Sequence, residues 1–177
     1  MNLKLNHIIE KSHVQGPGDR FTIWVQGCSI HCKDCINTDT WDFNAGTSIE
    51  IEELASSILK SSSLGLTITG GEPLDQYDSI FALSEMIFGK KSIFLCSGYT
   101  FPKIKEKFSK ILTTIDMLCS GPFDSEKKCE SQWKGSSNQE VIFLTPLGEQ
   151  QLNLPVYRRE YRINKKTGEV LITGFSI

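Results

Sequence analysis

Apolar positions along this chain change period several times, and each change predicts an element. Residues 3–10 mix alternating and continuous apolar positions, the pattern of a short first strand. Gly16, Pro17 and Gly18 mark a turn, because glycine tolerates positive φ. Residues 21–25 are nearly all apolar and rich in β-formers, as a buried strand is. Thr47, Ser48, Ile49 and Glu50 have the spacing of a capping box. Ile51, Leu54, Ala55 and Ile58 then recur at helical spacing and predict a helix to about Lys60. Residues 64–69 predict a strand that runs into Gly70, Gly71, Glu72 and Pro73, and Ile80, Leu83 and Ile87 mark one face of the next helix. Residues 92–96 predict a strand ending at Ser97, Gly98, Tyr99 and Thr100. Ile104, Phe108, Ile111 and Leu112 predict a single amphipathic helix after Pro102, followed by a strand over residues 115–119. The polar stretch 125–138 predicts a loop and residues 140–144 a further strand. Residues 156–163 and 169–175 flank a turn-rich connection and predict a carboxy-terminal β-hairpin.

Strand–helix alternation through the middle of the chain predicts βαβ units and a parallel sheet. The length of 177 residues suits one domain over 1–177, which would bury roughly 70% of its unfolded surface. A closed eight-unit barrel takes about 250 residues. The alternation therefore predicts an α/β fold built as an open, incomplete barrel, with a side gap that can admit part of another protein.

Composition narrows the setting. The formal net charge is −2 and no polybasic block occurs, so no nucleic-acid partner is expected. No apolar run reaches bilayer-spanning length, and residues 1–7 lack the apolar segment of a signal peptide. A cytoplasmic protein with no membrane association is the expectation. Six cysteines in a reducing compartment point to metal or redox chemistry rather than to staples.

Three of the six, Cys28, Cys32 and Cys35, are spaced C-x3-C-x2-C. A short loop of that kind can wrap its thiolates around one small object. A disulfide with a spare thiol, or a zinc site borrowing His31 or a distant cysteine, are alternatives. Three thiolates do not complete a tetrahedral zinc site, whereas closely spaced cysteines are the signature of cubane iron–sulfur clusters. A [4Fe-4S] cube held at three corners leaves one iron open for a substrate. Cys96 and Cys119 lie in apolar strands and read as small buried hydrophobes, Cys129 as a free thiol in the polar loop. His7, His13 and His31 read as loop or surface residues.

The cysteine spacing resembles the cluster motif of radical S-adenosylmethionine (SAM) enzymes. The wider run from Gly16 through Arg20, Trp24, Gln26 and Cys28 to Asn37 and Trp41 is narrower still. It resembles the activating enzymes of glycyl-radical proteins, especially those of anaerobic ribonucleoside-triphosphate reductase. A polar segment from Trp133 through Gly135, Ser136, Ser137, Asn138 and Gln139 is similar to one in the same activators, and it carries no assigned role. The resemblance implies a partial (β/α) barrel of the radical SAM type, with a [4Fe-4S] cluster on Cys28, Cys32 and Cys35. It implies that SAM binds at Gly70, Gly71, Glu72 and Pro73, the "GGEP" motif, where the backbone and the acid meet the SAM amino group and glycines permit close backbone approach. Ser97, Gly98 and Tyr99 stand where the activators carry a similar Gly-Tyr and are SAM contacts by the same resemblance. Asp34 occupies the position before the last cluster cysteine that packs near adenine, and Ser120 stands where the activators usually carry an acid. The implied activity is formation of a 5′-deoxyadenosyl radical that abstracts hydrogen from a glycine of a partner, anaerobic ribonucleoside-triphosphate reductase, with flavodoxin or ferredoxin as electron donor. Two rival readings are a radical SAM enzyme acting on another glycyl-radical protein, a peptide or a small molecule, and a non-catalytic iron–sulfur carrier or sensor.

Overall fold

The computed structural model describes residues 1–129, 133–155, 157 and 159–174. The strands are β1 (Asn2–Ser12), β2 (Arg20–Val25), β3 (Thr47–Glu50), β4 (Gly65–Gly70), β5 (Ser92–Ser97), β6 (Met117–Ser120), β7 (Glu140–Phe143), β8 (Arg159–Ile163) and β9 (Val170–Gly174). The helices are α1 (Ile51–Lys60), α2 (Tyr77–Ile87), α3 (Phe101–Lys107) and α4 (Pro146–Gln150). Seven strands form one mixed sheet in the order β3-β1-β2-β4-β5-β6-β7. Its centre, β2-β4-β5-β6, is parallel, as the alternation predicts. Antiparallel β1 and β3 flank one side and antiparallel β7 the other.

Period-two alternation sorts the strand residues onto two faces. Ile23, Val25, Leu66, Ile68, Ile93, Leu95 and Leu118 share a core with Leu54 and Ile58 of α1, Leu83 and Ile87 of α2 and Ile104 of α3. The intervening residues Phe94, Met117 and Cys119 form a smaller cluster with Trp133 on the opposite face. The long helices thus pack on one side only. Arg20 spans the sheet end opposite the strands' carboxyl termini. It is fully buried and donates to Thr67, to Ser92 and to the carbonyls of Pro17, Leu66 and Ser92. Burial lowers its pKa to about 10, which leaves the guanidinium charged at neutral pH.

Two local expectations are corrected, and one short helix was not foreseen. Residues 47–50 are not a capping box but strand β3, paired from Asn2↔Glu50 to Leu5↔Thr47. Glu50 makes no side-chain cap, and the Ile51 N–H donates to the Met1 carbonyl instead. The edge of β1 offers a full ladder of partners, which outcompetes one side-chain cap. The single helix expected through Leu112 breaks at Phe108 and continues as a 3-10 turn, Ser109–Thr113. That break leaves Ile104 and Ile111 both fully buried while the Phe108 ring packs against Tyr77 and Tyr99. Pro146–Gln150, unpredicted, is a short helix capped by the Thr145 hydroxyl.

The carboxy-terminal hairpin is present as β8 and β9, closed around Asn164 and Gly168. The expected strand ends at residues 156 and 175, and residues 130–132 of the polar stretch, lie outside the described residues. Among the described residues, β3 and β7 are the free edges of a large mixed sheet. No helix among the described residues is long and apolar enough to cross a membrane.

Candidate active site at the carboxyl ends of the parallel strands

Parallel pairing brings the ends of β2, β4, β5 and β6 side by side, with Val25 opposite Gly70 and Ser97 opposite Ser120. The cysteine loop leaves β2 at this rim. Its base is closed by backbone bonds from Gly27 N to the Thr40 carbonyl (2.7 Å) and from Cys28 N to the Trp41 carbonyl (3.3 Å). The buried Gln26 amide donates to the carbonyls of Asp39 and Asp42 and fixes the returning strand of the loop. Within the loop, His31 and Asp34 take left-handed backbone conformations, with φ of 50° and 57°. Two such residues three apart wind the chain tightly enough to bring nearby cysteines together. The His31 ring stacks on Trp41 at 4.4 Å between centroids, a packing role rather than a catalytic one.

The Cys28 side chain is buried, and those of Cys32 and Cys35 are half-buried. Burial raises the pKa of Cys28, opposed by hydrogen bonds from the His31 and Ile30 backbone. Burial likewise raises that of Cys32, opposed by the Phe123 N–H and reinforced by the neighbouring Cys35 and Cys28 sulfurs. The Cys35 sulfur accepts from Asn37 N at 3.4 Å. Each sulfur thus faces at least one backbone N–H group, the kind of donor that suits a metal-bound sulfur, although at Cys28 and Cys32 burial outweighs these donors. Among the described residues, no three His, Cys, Asp or Glu side chains converge on a single metal ion. A cubane presents a separate iron to each thiolate, so its ligands stand farther apart than those around one ion.

The second motif packs directly beneath this loop. Gly70 has φ of 108°, and a Cβ there would lie 2.5 Å from Val25 N. At Gly71 a Cβ would collide with the Gly27 carbonyl and reach within 3.1 Å of the Thr40 carbonyl. The missing side chain of Gly71 therefore makes room for the root of the cysteine loop. Gly71 N donates to the Val25 carbonyl and Glu72 N to the Gly27 carbonyl, so the motif extends the β2–β4 ladder into the loop. Pro73 is buried and opens the 3-10 turn Pro73–Gln76.

Glu72 is 1% exposed. One carboxylate oxygen accepts from Leu74 N at 2.9 Å and from the Ser97 hydroxyl at 2.8 Å, and the other from Gly98 N at 2.8 Å. Burial pushes its pKa up to about 7 despite these three donors, with Asp75 adding to the rise. Glu72, Ser97 and Gly98, separated in sequence, therefore form one buried hydrogen-bonded unit. Gly98 also packs close to Ile30 of the cysteine loop. Tyr99 lies at the same rim, its ring beneath the Lys103 ammonium at 3.9 Å.

Asp34 is exposed and accepts from the Ser125 hydroxyl at 2.7 Å, beside a Lys33–Glu126 ion pair at 3.5 Å. The structure thus ties it to the turn after β6. Ser120 is buried. Cys96 and Cys119 are register partners across β5 and β6. Cys119 is buried as expected but Cys96 is only half-buried, and the hydrogen bond between the thiols, with burial, raises the Cys96 pKa.

The family described as "4Fe-4S single cluster domain" matches residues 14–142. Among curated proteins, the anaerobic ribonucleoside-triphosphate reductase-activating protein of Enterobacteria phage T4 is 34% identical over 136 residues, covering 72% of this chain and 86% of that protein. The proteins of the same name from Pasteurella multocida and Vibrio cholerae are 33% and 32% identical. They cover 75% and 72% of this chain, and 92% and 90% of their own lengths. The chain belongs to the anaerobic ribonucleoside-triphosphate reductase-activating protein family. A likeness to QueE from Escherichia coli, at 20% identity and a TM-score of 0.44 over 56% of this chain and 54% of that one, is too slight to carry an argument.

In this reductase-activating family member, the polar segment after Trp133 acquires a structural role that its sequence did not suggest. The Gln139 amide donates to the Gly121 carbonyl (2.9 Å) and accepts from Gly135 N (2.8 Å). Asn138 donates to the Pro122 carbonyl, and the Ser136 hydroxyl accepts from Asp124 N. The segment thus clamps the loop 121–124, whose Phe123 N–H faces Cys32. Two residues at the rim escaped the sequence reading altogether. Asp75 accepts from Ser29 N (2.7 Å), from the Ser29 hydroxyl (2.9 Å) and from the Tyr99 hydroxyl (3.1 Å). The Gln76 amide donates to the Lys4 and Gln26 carbonyls. Both lie just beyond Pro73, and no spacing rule points from there back to the cysteine loop.

Proposed function

We propose that this chain is a radical SAM activase that installs a glycyl radical on an anaerobic ribonucleoside-triphosphate reductase. The observation that carries the reading is the meeting, at one sheet rim, of the C-x3-C-x2-C loop with the Gly70–Pro73 and Ser97–Tyr99 strand ends, in a chain of the activating-protein family. In this reading Cys28, Cys32 and Cys35 hold a [4Fe-4S] cluster, and their N–H-facing sulfurs fit that group. When bound and reduced, such a cluster supplies the electron that splits SAM to methionine and a 5′-deoxyadenosyl radical.

This chain's own residues bind and orient. The backbone at Gly70, Gly71 and Glu72, with Gly98 and Tyr99, would receive SAM, and Pro73 and Ser97 would hold that backbone in place. Glu72 has three of roughly four acceptor sites filled by protein donors. Its main part is to lock the β4 and β5 ends together. Asp34, tied to Ser125, would border the adenine side.

The sheet with free edges at β3 and β7, and helices on one face, supports an open partial barrel over a single domain, 1–177. The gap would admit a glycine-bearing loop of the reductase, through a specific interface on the order of 1,200 Å² or more. A flavodoxin or ferredoxin in the cytoplasm would supply electrons. The test mixes the protein, SAM, reductant and the anaerobic reductase of the same genome and records an EPR spectrum. A glycyl doublet that vanishes when the acceptor glycine becomes alanine is the expected result. SAM cleavage without that doublet would reject this partner, and absence of both would reject the activase reading.

A further inference from the structure

We propose that Asp75 is a positioning residue that joins the cysteine loop to the Tyr99 rim and holds a negative charge beside the first cysteine. The inference rests on the cluster assignment above for its redox arm, but not for its positioning arm. Asp75 sits in the 3-10 turn Pro73–Gln76, outside both motifs that the sequence singles out. Its carboxylate is half-buried and takes three donors. Two come from Ser29, the residue directly after Cys28, and one from Tyr99. The Ser29 and Tyr99 hydroxyls also lie 3.2 Å apart, which closes a three-residue network.

A carboxylate is a suitable group for this place. Two oxygens can accept the Ser29 N–H and the two hydroxyls at once, whereas an amide has one acceptor oxygen. Hydrogen bonds to a charged group are also roughly twice as strong as neutral ones. Ser29 is exposed, so its backbone, next to the buried Cys28, is held by this network rather than by burial of its own side chain. A fixed negative charge and the orientation of surrounding groups are among the factors that set a cluster's potential. With a cluster on Cys28, Asp75 therefore biases it toward the negative potentials that sulfonium reduction demands.

The test uses the full chain with Asp75→Asn and Asp75→Ala, and two readouts. Hydrogen exchange of the Ser29 amide is measured in the metal-free protein. Loss of a hydrogen bond to a charged acceptor should speed it at least about tenfold in Asp75→Ala. The midpoint potential is measured by EPR-monitored titration of reconstituted Asp75→Asn at the iron content of the wild type. It should rise, whereas Ser29→Ala, which keeps the charge, should leave it near the wild-type value. A merely structural role would lower iron content or the denaturation midpoint without shifting the potential of loaded protein. Unchanged Ser29 exchange overturns the proposal whether or not a cluster forms, and an unchanged potential in fully loaded Asp75→Asn also overturns it. A wild type that binds no iron defeats the cluster assignment instead, and the exchange measurement then decides the positioning role alone.

Discussion

At the scale of single residues, the site is governed by burial competing with hydrogen bonding. Glu72 shows which wins: three donors favour its anion, yet desolvation carries its pKa up to about 7. In the unfolded chain the carboxyl returns to its ordinary value of 4.5. Between those two values the folded state holds the extra proton. The contribution of Glu72 to stability is therefore full below about pH 4.5 and is lost as pH rises through about 7, a change on the order of 3 kcal/mol. Glu72→Gln, which cannot titrate, should flatten that part of the pH profile in urea denaturation between pH 4 and 8. A profile unchanged by the substitution would place the Glu72 proton elsewhere. The cysteines permit a second contrast. Cys32→Ala should strip iron from anaerobically reconstituted protein, because two remaining thiolates hold the cube poorly. Cys119→Ala should not, since its thiol pairs with Cys96 rather than with the loop. Full iron in Cys32→Ala would refute the ligand assignment.

At the scale of elements, the sheet rim and the cysteine loop are one packed unit. The Gly71 position shows this most clearly, because the space for its Cβ is already filled by the Gly27 and Thr40 carbonyls. If Gly71 were bare only to let a ligand approach the backbone, Gly71→Val would crowd that ligand and leave the cluster in place. The structure predicts a different outcome, in which the valine pushes the loop root outward. Iron content and SAM cleavage should then fall together, with overpacking costing about 1–3 kcal/mol of stability. Iron quantification beside thermal melts checks it, and a fully loaded but SAM-inactive Gly71→Val would restore the ligand-approach reading.

For the whole molecule, the question is which parts the chemistry needs. The family match ends at residue 142, before the hairpin of β8 and β9. That hairpin reaches the main sheet through Glu160, which accepts from the Ser12 hydroxyl and the His13 N–H, and through Arg162 at the Lys11 carbonyl. These contacts lie at the Arg20 end of the sheet, away from the cysteine loop, since Ser12 pairs with Arg20. A chain truncated after Leu154 should therefore keep wild-type iron content and SAM cleavage. Leu154 itself is retained because it packs on Gly18. Loss of iron in the truncated chain would show that the hairpin supports the rim at long range.

Sequence alone was enough for the central alternation of strands and helices, the parallel centre of the sheet and the hairpin, and it singled out the cysteine loop. These follow from period, turn residues and spacing, which are local. It also proposed Glu72, Ser97 and Gly98 as members of one site, although not that they would bond to each other. Other features were decided by tertiary structure. Residues 47–50 became a strand because β1 lay alongside with unpaired backbone groups. The helix broke at Phe108 where Tyr77 and Tyr99 met its ring. Asp75 joined the cysteine loop across 46 positions of chain, and the Gly135–Gln139 segment clamped the loop after β6. Each of these depends on which backbone groups or side chains a distant segment presents, and that is settled only when the chain has closed on itself.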